Sequence, residues 1–171
     1  INYSKLDRKK QISILEEMQE NEKINSSPFY RQFIYMNMSL AWFDLKEYHK
    51  ATRNLTKLYM LKDFKDTDES LKLKIAITDL ITRFELNDLE TFDYKLKQLK
   101  KDFKELVSLD QHENEKLILD ILQLMASRDE KKRKTLAAKV KSFLAQDEDE
   151  EQSGFIDYKE WLNEKAKSIL K

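Results

Sequence analysis

Glycine and proline are almost absent from this chain: Gly154 and Pro28 stand alone among 171 residues. Tight turns, hairpins and bulges draw on those two residue types, so a strand-rich or α/β architecture fits the sequence poorly. The dinucleotide fingerprint G-x-G-x-x-G, the P-loop and the G-x-S-x-G nucleophile elbow each need more than one glycine, and none can be written around Gly154. Cysteine is missing altogether, which removes disulfides, thiolate nucleophiles and cysteine-based zinc or iron–sulfur centres. No apolar run nears the ~18 residues that a membrane-spanning helix requires, and Ile1-Asn2-Tyr3-Ser4-Lys5 lacks the apolar core of a signal peptide. We therefore expect a soluble, cytoplasmic protein with no membrane partner. A net charge is lacking too: 32 basic and 32 acidic residues cancel, leaving no global attraction for nucleic acid or anionic lipid.

What is present suits amphipathic helices: 40% hydrophobic and 37% charged residues allow buried stripes beneath solvated faces. Helix-start signals recur at Ser27, Thr67, Asp110 and Ser153, in steps of about 40, 43 and 43 residues. A second series near Ser4, Glu47, Asn87 and Ser127 interleaves with them, so two helix families alternate as they do in repeat arrays. Ser27-Pro28 predicts a helix to about Leu45, with Ser as cap and Pro at the first helical position. A second helix over about 47–62 folds back on it. Acids in Asp66-Thr67-Asp68-Glu69 open a third, and Asn87-Asp88-Leu89-Glu90 opens a fourth over about 88–108. Asp110 and Ser127 head the next pair, and a last helix covers about 154–170. The acidic run from Asp147 to Glu151 reads as a solvated loop or frayed helix end.

Residues 33–63 resemble a tetratricopeptide repeat. The turn Ala41-Trp42-Phe43-Asp44-Leu45-Lys46-Glu47-Tyr48-His49-Lys50-Ala51 is similar to that family's, with Ala41 and Ala51 as small packing residues and Tyr48 as the aromatic that opens the second helix. Ser39 stands in place of the commoner Gly, Leu58 in place of Ala, and no Pro closes the unit near Asp63. The period of about 41 residues exceeds the family's ~34 and is nearer that of HEAT-like arrays, whose pattern of Pro and charged residues is missing. The resemblance implies a right-handed α-solenoid of antiparallel helical hairpins, about eight helices in one domain over 1–171. A single irregular bundle is the competing architecture. In the array reading each end lacks a hairpin partner, and together with the non-Met start this makes the chain the C-terminal part of a longer array. The resemblance further implies a partner-binding groove lined by Phe33, Met36, Asn37, Leu40, Phe43 and Asp44, while Tyr35, Met38, Ser39 and Trp42 pack within the hairpin. The alternative for that groove is burial against neighbouring helices, including the one with Ile14, Leu15 and Met18.

Catalytic chemistry finds no foothold in the pattern. His49 and His112 have no second ligand at a metal-binding spacing such as H-E-x-x-H, and both read as surface or partly packed residues. Carboxylate pairs such as Glu16 with Glu17 lie on polar faces, where nothing shifts them toward acid–base work. Two basic stripes, Lys97-Lys100-Lys101-Lys104 and Lys131-Lys132-Arg133-Lys134, are diluted by Asp102, Glu105, Asp129 and Glu130. Their nearby aromatics Phe103 and Phe143 fall on apolar faces, which argues against nucleic acid. The sequence thus points to a non-enzymatic protein- or peptide-binding scaffold with no catalytic residue, metal or cofactor. A nucleic-acid-binding helical repeat domain and a structural or regulatory helical domain are the alternatives.

Overall fold

The computed structural model describes residues 7–127, 129–146 and 154–169, and the described residues form helices and no strand. The all-α class expected from the composition is observed. Among the described residues ten α-helices run in the order α1 (Arg8–Glu20), α2 (Glu22–Asn25), α3 (Pro28–Asp44), α4 (Tyr48–Tyr59), α5 (Glu69–Glu85), α6 (Leu89–Asp102), α7 (Lys104–Val107), α8 (Glu113–Ser127), α9 (Arg133–Leu144) and α10 (Tyr158–Ile169). Two of them, α2 and α7, are single turns of four residues; the other eight carry the fold. The chain divides into two compact units, Ile1–Asp68 and Glu69–Lys171.

In the first unit α1 and α4 both pack on α3. Leu15 of α1 meets Ile34 and Met38 of α3, with Met18, Ile24 and Trp42 closing the cluster. On α4 the fully buried Ala51, Leu55 and Leu58 recur at four and three residues, the spacing that puts them on one face. Each buried Leu contributes about 2 kcal/mol of hydrophobic free energy. In the second unit α5 packs on α6 and α8, and α9 packs on α8 and α10. Its interior holds Leu73, Ile77, Leu80 and Ile81 of α5, Phe92 of α6, and Ile118, Leu119, Ile121 and Leu122 of α8. The lone glycine has a steric reason: a Cβ on Gly154 would run into the Tyr158 ring.

One local design occurs in both units. Helices α3 and α5 each span 17 residues, and α5 begins and ends 41 positions after α3; α6 likewise begins 41 positions after α4. The joining turns, Phe43-Asp44-Leu45-Lys46-Glu47 and Phe84-Glu85-Leu86-Asn87-Asp88, match in chemical type at every position except Lys46 and Asn87. Lys46 and Asn87 take positive φ, 61° and 56°. In the first turn Lys46 N–H donates to Phe43 C=O and Glu47 N–H to Trp42 C=O. In the second, Asn87 N–H donates to Phe84 C=O and Asp88 N–H to Arg83 C=O. Both are Schellman caps, in which a left-handed residue lets the chain satisfy the last carbonyls and reverse at once.

Several expected boundaries move. Ser27 stands at the cap position and α3 begins at Pro28 as expected, but the Ser27 side chain makes no cap bond. Thr67 does not cap either: its hydroxyl donates to Oε1 of Gln32 at 3.2 Å, and α5 starts at Glu69. The helix expected to reach residue 62 stops at Tyr59, and a 3-10 turn over Lys62–Asp66 follows. There Phe64 stacks edge-on against Tyr59 with centroids 5.1 Å apart, and Arg31 pairs with Asp63 at 3.0 Å. The helix expected over 88–108 breaks at Phe103 (φ −107°, ψ 19°); the apolar spacing of Leu99, Phe103 and Leu106 runs on through the break and so conceals it. Asp110 opens a 3-10 turn, with α8 beginning at Glu113. Ser127 ends α8, its hydroxyl donating back to Leu124 C=O at 2.8 Å. The turn that leads into α9 forms instead at Asp129, whose Oδ1 accepts from Lys131 N–H at 3.0 Å. Asp157 caps α10 by accepting from Glu160 N–H at 2.9 Å, so that helix begins later than residue 154. The starts expected at Ser4 and Ser153 and the acidic run Asp147–Glu151 lie outside the described residues.

Candidate functional site

The six residues assigned to a groove on α3 do not share one open face. Phe33 is 43% exposed, Asn37, Leu40 and Asp44 are half-buried, and Met36 and Phe43 are buried. Phe43 stacks on Tyr48 across the hairpin turn at 5.3 Å. Asn37 spends its amide on Phe33 C=O at 2.8 Å, and Asp44 is held by Arg8. The α1 side of the helix is the one carrying Ile34, Met38 and Trp42, so Leu15 and Met18 cover that face rather than the one bearing Phe33. Tyr35 and Trp42 also reach α4, through Lys57 and Lys50 over their rings at 5.7 and 4.2 Å.

What stays open on α3 is a stripe displaced toward its N-terminus. Phe29 is 70% exposed, and Tyr30 lies edge-on to it at 5.6 Å and is exposed as well. With Phe33, Asn37 and Leu40 these residues follow one side of the helix at steps near four. Only Arg31 and Asp44 are charged on α3, and both are held in ion pairs, with Asp63 and Arg8. Phe29 and Tyr30 were not assigned to the groove because the family pattern begins after them; their place in the first turn after Pro28 was the available signal.

The second unit holds polar groups that the sequence pattern did not bring together. His112 is buried, against the surface or partly packed position expected for it; His49 is exposed. Nε2 of His112 lies 3.3 Å from Ser70 Oγ and 3.4 Å from the side-chain amide of Gln111. Its Nδ1 faces Glu115 Oε2 at 3.6 Å, and the Glu115 side chain is only 2% exposed. The phenol of Tyr158 is buried beside that carboxylate, and burial together with the charge of Glu115 pushes its pKa well above the ordinary value. The separation of 42 positions between Ser70 and His112 explains why no local motif betrayed the pair.

A second polar cluster ties α5 to α6. The buried Asp79 takes Arg83 at 3.2 Å and Lys95 at 2.7 Å, and Arg83 reaches Asp88 at 2.8 Å. Burial opposes the charge on Arg83, and the two carboxylates outweigh it, raising its pKa. Burial likewise raises the Asp88 carboxyl, and hydrogen bonds from Arg83 and from Thr91 more than reverse that, leaving it below its ordinary value. This network is structural: every charge in it faces another.

Both basic stripes are exposed, as expected. Phe143 is buried against Tyr158, and Phe103 is half-buried. The aromatic overlooked beside the first stripe is Tyr94, 67% exposed on α6 and three residues before Lys97. Among the described residues no group of three or more His, Cys, Asp or Glu could hold a metal ion, and no helix is long and apolar enough to cross a membrane. No protein-family model, curated protein or solved structure matches this chain.

Proposed function

We propose that this chain is a protein- or peptide-binding scaffold of the helical-repeat type, tetratricopeptide-like, in which antiparallel hairpins stack as a right-handed α-solenoid. Its binding role at α3 is non-enzymatic. The observation that carries this reading is the uncharged, exposed stripe of Phe29, Tyr30 and Phe33, continued by Asn37 and Leu40. Support comes from register: Asn37 and Leu40 correspond, 41 positions on, to Thr78 and Ile81, which are fully buried on a helix packed against two others. A helix or extended segment from a partner would cover the α3 stripe in the same manner, with apolar anchors giving affinity.

The test is affinity capture from lysate with the intact chain and with a Phe33→Asp plus Leu40→Asp variant of unchanged circular dichroism. Partners retained by the first and lost by the second are expected, followed by direct titration of the recovered partner. Equal recovery by both proteins removes the stripe from consideration. Nucleic acid is the second reading, favoured by Tyr94 beside Lys97 and Lys101, since an exposed ring flanked by cations stacks on an unpaired base. A steep fall of oligonucleotide affinity with salt, weakened further by Tyr94→Ala, would select it over the first.

A further inference from the structure

We propose that Ser70, His112 and Glu115 form an acyl-transfer triad in the second unit, acting on esters of small apolar acyl groups. This activity is independent of the binding stripe on α3. Two geometric facts support it. Ser70 Oγ lies 3.3 Å from His112 Nε2, the approach of a nucleophile to its base. On the far side of the same ring Nδ1 faces the Glu115 carboxylate at 3.6 Å, both groups being more than nine-tenths buried and without a nearer hydrogen-bonding partner. With a carboxylate facing Nδ1, the ring proton belongs on that nitrogen, which leaves Nε2 to accept from the Ser70 hydroxyl. Spacings somewhat longer than a tight hydrogen bond are usual for such groups without substrate.

Access and order fit the roles. Ser70 is partly exposed in the first turn of α5, whereas His112 and Glu115 are buried behind it. The Gln111 amide, 3.4 Å from the same nitrogen, is a donor within reach of the reacting centre. Two exposed leucines adjoin the pair: Leu71 follows Ser70 in the chain, and the carbonyl of Leu109 accepts the His112 N–H at 3.0 Å. Exposed apolar residues close in the chain to both Ser70 and His112 suit an apolar acyl group better than a charged one.

In the first half-reaction Ser70 Oγ bonds to the ester carbonyl carbon while its proton passes to His112 Nε2, and the carbonyl electron pair moves onto oxygen, where the Gln111 N–H donates to it. The intermediate collapses, the bond to the alkoxy group breaks, and the leaving alcohol takes the proton from Nε2. Water then repeats the sequence: its oxygen bonds to the acyl carbon, its proton goes to Nε2, and the acyl–Oγ bond breaks. Ser70 recovers the proton and a carboxylic acid departs. Glu115 touches no reacting atom; it is a positioning residue that fixes the ring and faces its positive charge.

The experiment uses the full chain with a fluorophosphonate probe, read by intact mass and peptide mapping, and with p-nitrophenyl butyrate. One probe on Ser70 is expected, with hydrolysis falling about 100-fold or more in Ser70→Ala, a variant at a partly exposed position that retains its circular dichroism. No labelling, labelling at another residue, or equal hydrolysis by Ser70→Ala overturns the proposal. His112→Ala should lose labelling and regain part of it on addition of imidazole, a recovery that a purely structural histidine cannot give. Failure of that rescue in a folded variant overturns the role of His112. Glu115→Gln should slow labelling about tenfold or more and Glu115→Asp should restore part of the rate; identical rates in wild type and Glu115→Gln would remove Glu115 from the triad.

Discussion

The hairpins α3–α4 and α5–α6 share a register, a helix length and a turn, yet they are held by different forces. Position 38 of the first hairpin is Met38, packed with Leu15 and Ile34; its counterpart 41 residues later is Asp79, buried between Arg83 and Lys95. The acid that ends each long helix is used alike. Asp44 takes Arg8 of α1, while Glu85 accepts from Trp161 Nε1 and from Lys165 of α10, each at 2.7 Å. An acid at a helix C-terminus opposes the dipole, and in both hairpins a cation from another helix offsets it. The backbone design is therefore separable from the chemistry that fixes it, and the two copies provide an internal control.

Removing Asp79 should have the largest effect. Asp79→Ala leaves Lys95 without this buried carboxylate, and loss of one partner from a buried pair costs about 3 kcal/mol or more. Urea unfolding followed by tryptophan fluorescence measures it. Installing the first hairpin's residues at the matching positions, Asp79→Met with Lys95→Asn, should recover most of that loss, because an apolar replacement removes the need for the ion pairs. If the double variant is as unstable as Asp79→Ala, the two hairpins are not equivalent frames.

Next come the two helix-final acids. Glu85 has a side chain only 9% exposed, so Glu85→Ala strands the Trp161 N–H and should cost about 2 kcal/mol. Asp44, whose side chain is 31% exposed beside a 23% exposed Arg8, should lose about 1 kcal/mol or less on the same change. Equal losses in thermal or urea unfolding would mean that burial does not set the difference between these anchors.

The residues after the turn should differ by less. Asp88 accepts from Thr91 N–H at 3.4 Å and pairs with Arg83, whereas Glu47 makes no side-chain cap bond. Asp88→Ala should cost about 1 kcal/mol, a normal cap loss, and Glu47→Ala close to none. Because burial is outweighed by hydrogen bonds from Arg83 and Thr91, which hold the folded Asp88 carboxyl below its ordinary value, its stabilisation is complete above the ordinary carboxylate range and is lost as pH falls through the lower, folded value. In acid titrations of unfolding, Asp88→Asn should therefore shrink the loss of stability below about pH 4.

The sequence disclosed the helices and their pairing because amphipathic periodicity is local, and Leu55 and Leu58 or Leu96 and Leu99 sit on the faces it assigns. It also suggested a period near 41 residues; α5 begins 41 positions after α3, whereas α8 begins 44 after α5. Caps were harder to read. Ser27, Thr67 and Ser127 are acceptable caps by type, but Thr67 is drawn to Gln32 and Ser127 bonds back to Leu124, and both competitors depend on three-dimensional neighbours or on position within a turn. Polar burial was least legible. Asp79 and His112 look like surface residues by type, and only contacts with Lys95 and Ser70 reveal them. On α3 the apolar excess was visible, but which side stays open depends on α1 and α4, so Met36 and Phe43 were grouped with Phe33 while Phe29 and Tyr30 were passed over.

The smallest difference lies at the left-handed residue of each turn, and it isolates the backbone from everything else. Lys46 holds φ 61° and Asn87 φ 56°, a region that costs an ordinary side chain about 1 kcal/mol or more and Asn less, because its short amide tolerates it. Lys46→Gly should relieve that strain, offset in part by the greater freedom of glycine in the unfolded chain, for a net gain of about 0.5 kcal/mol. Asn87→Gly should gain less, near zero, and the ordering of the two midpoints in urea is the quantity to measure. Because both caps carry the same pair of backbone hydrogen bonds, a larger gain at Asn87 would have to arise from contacts of its side chain, and the turns would then differ in more than their residue types.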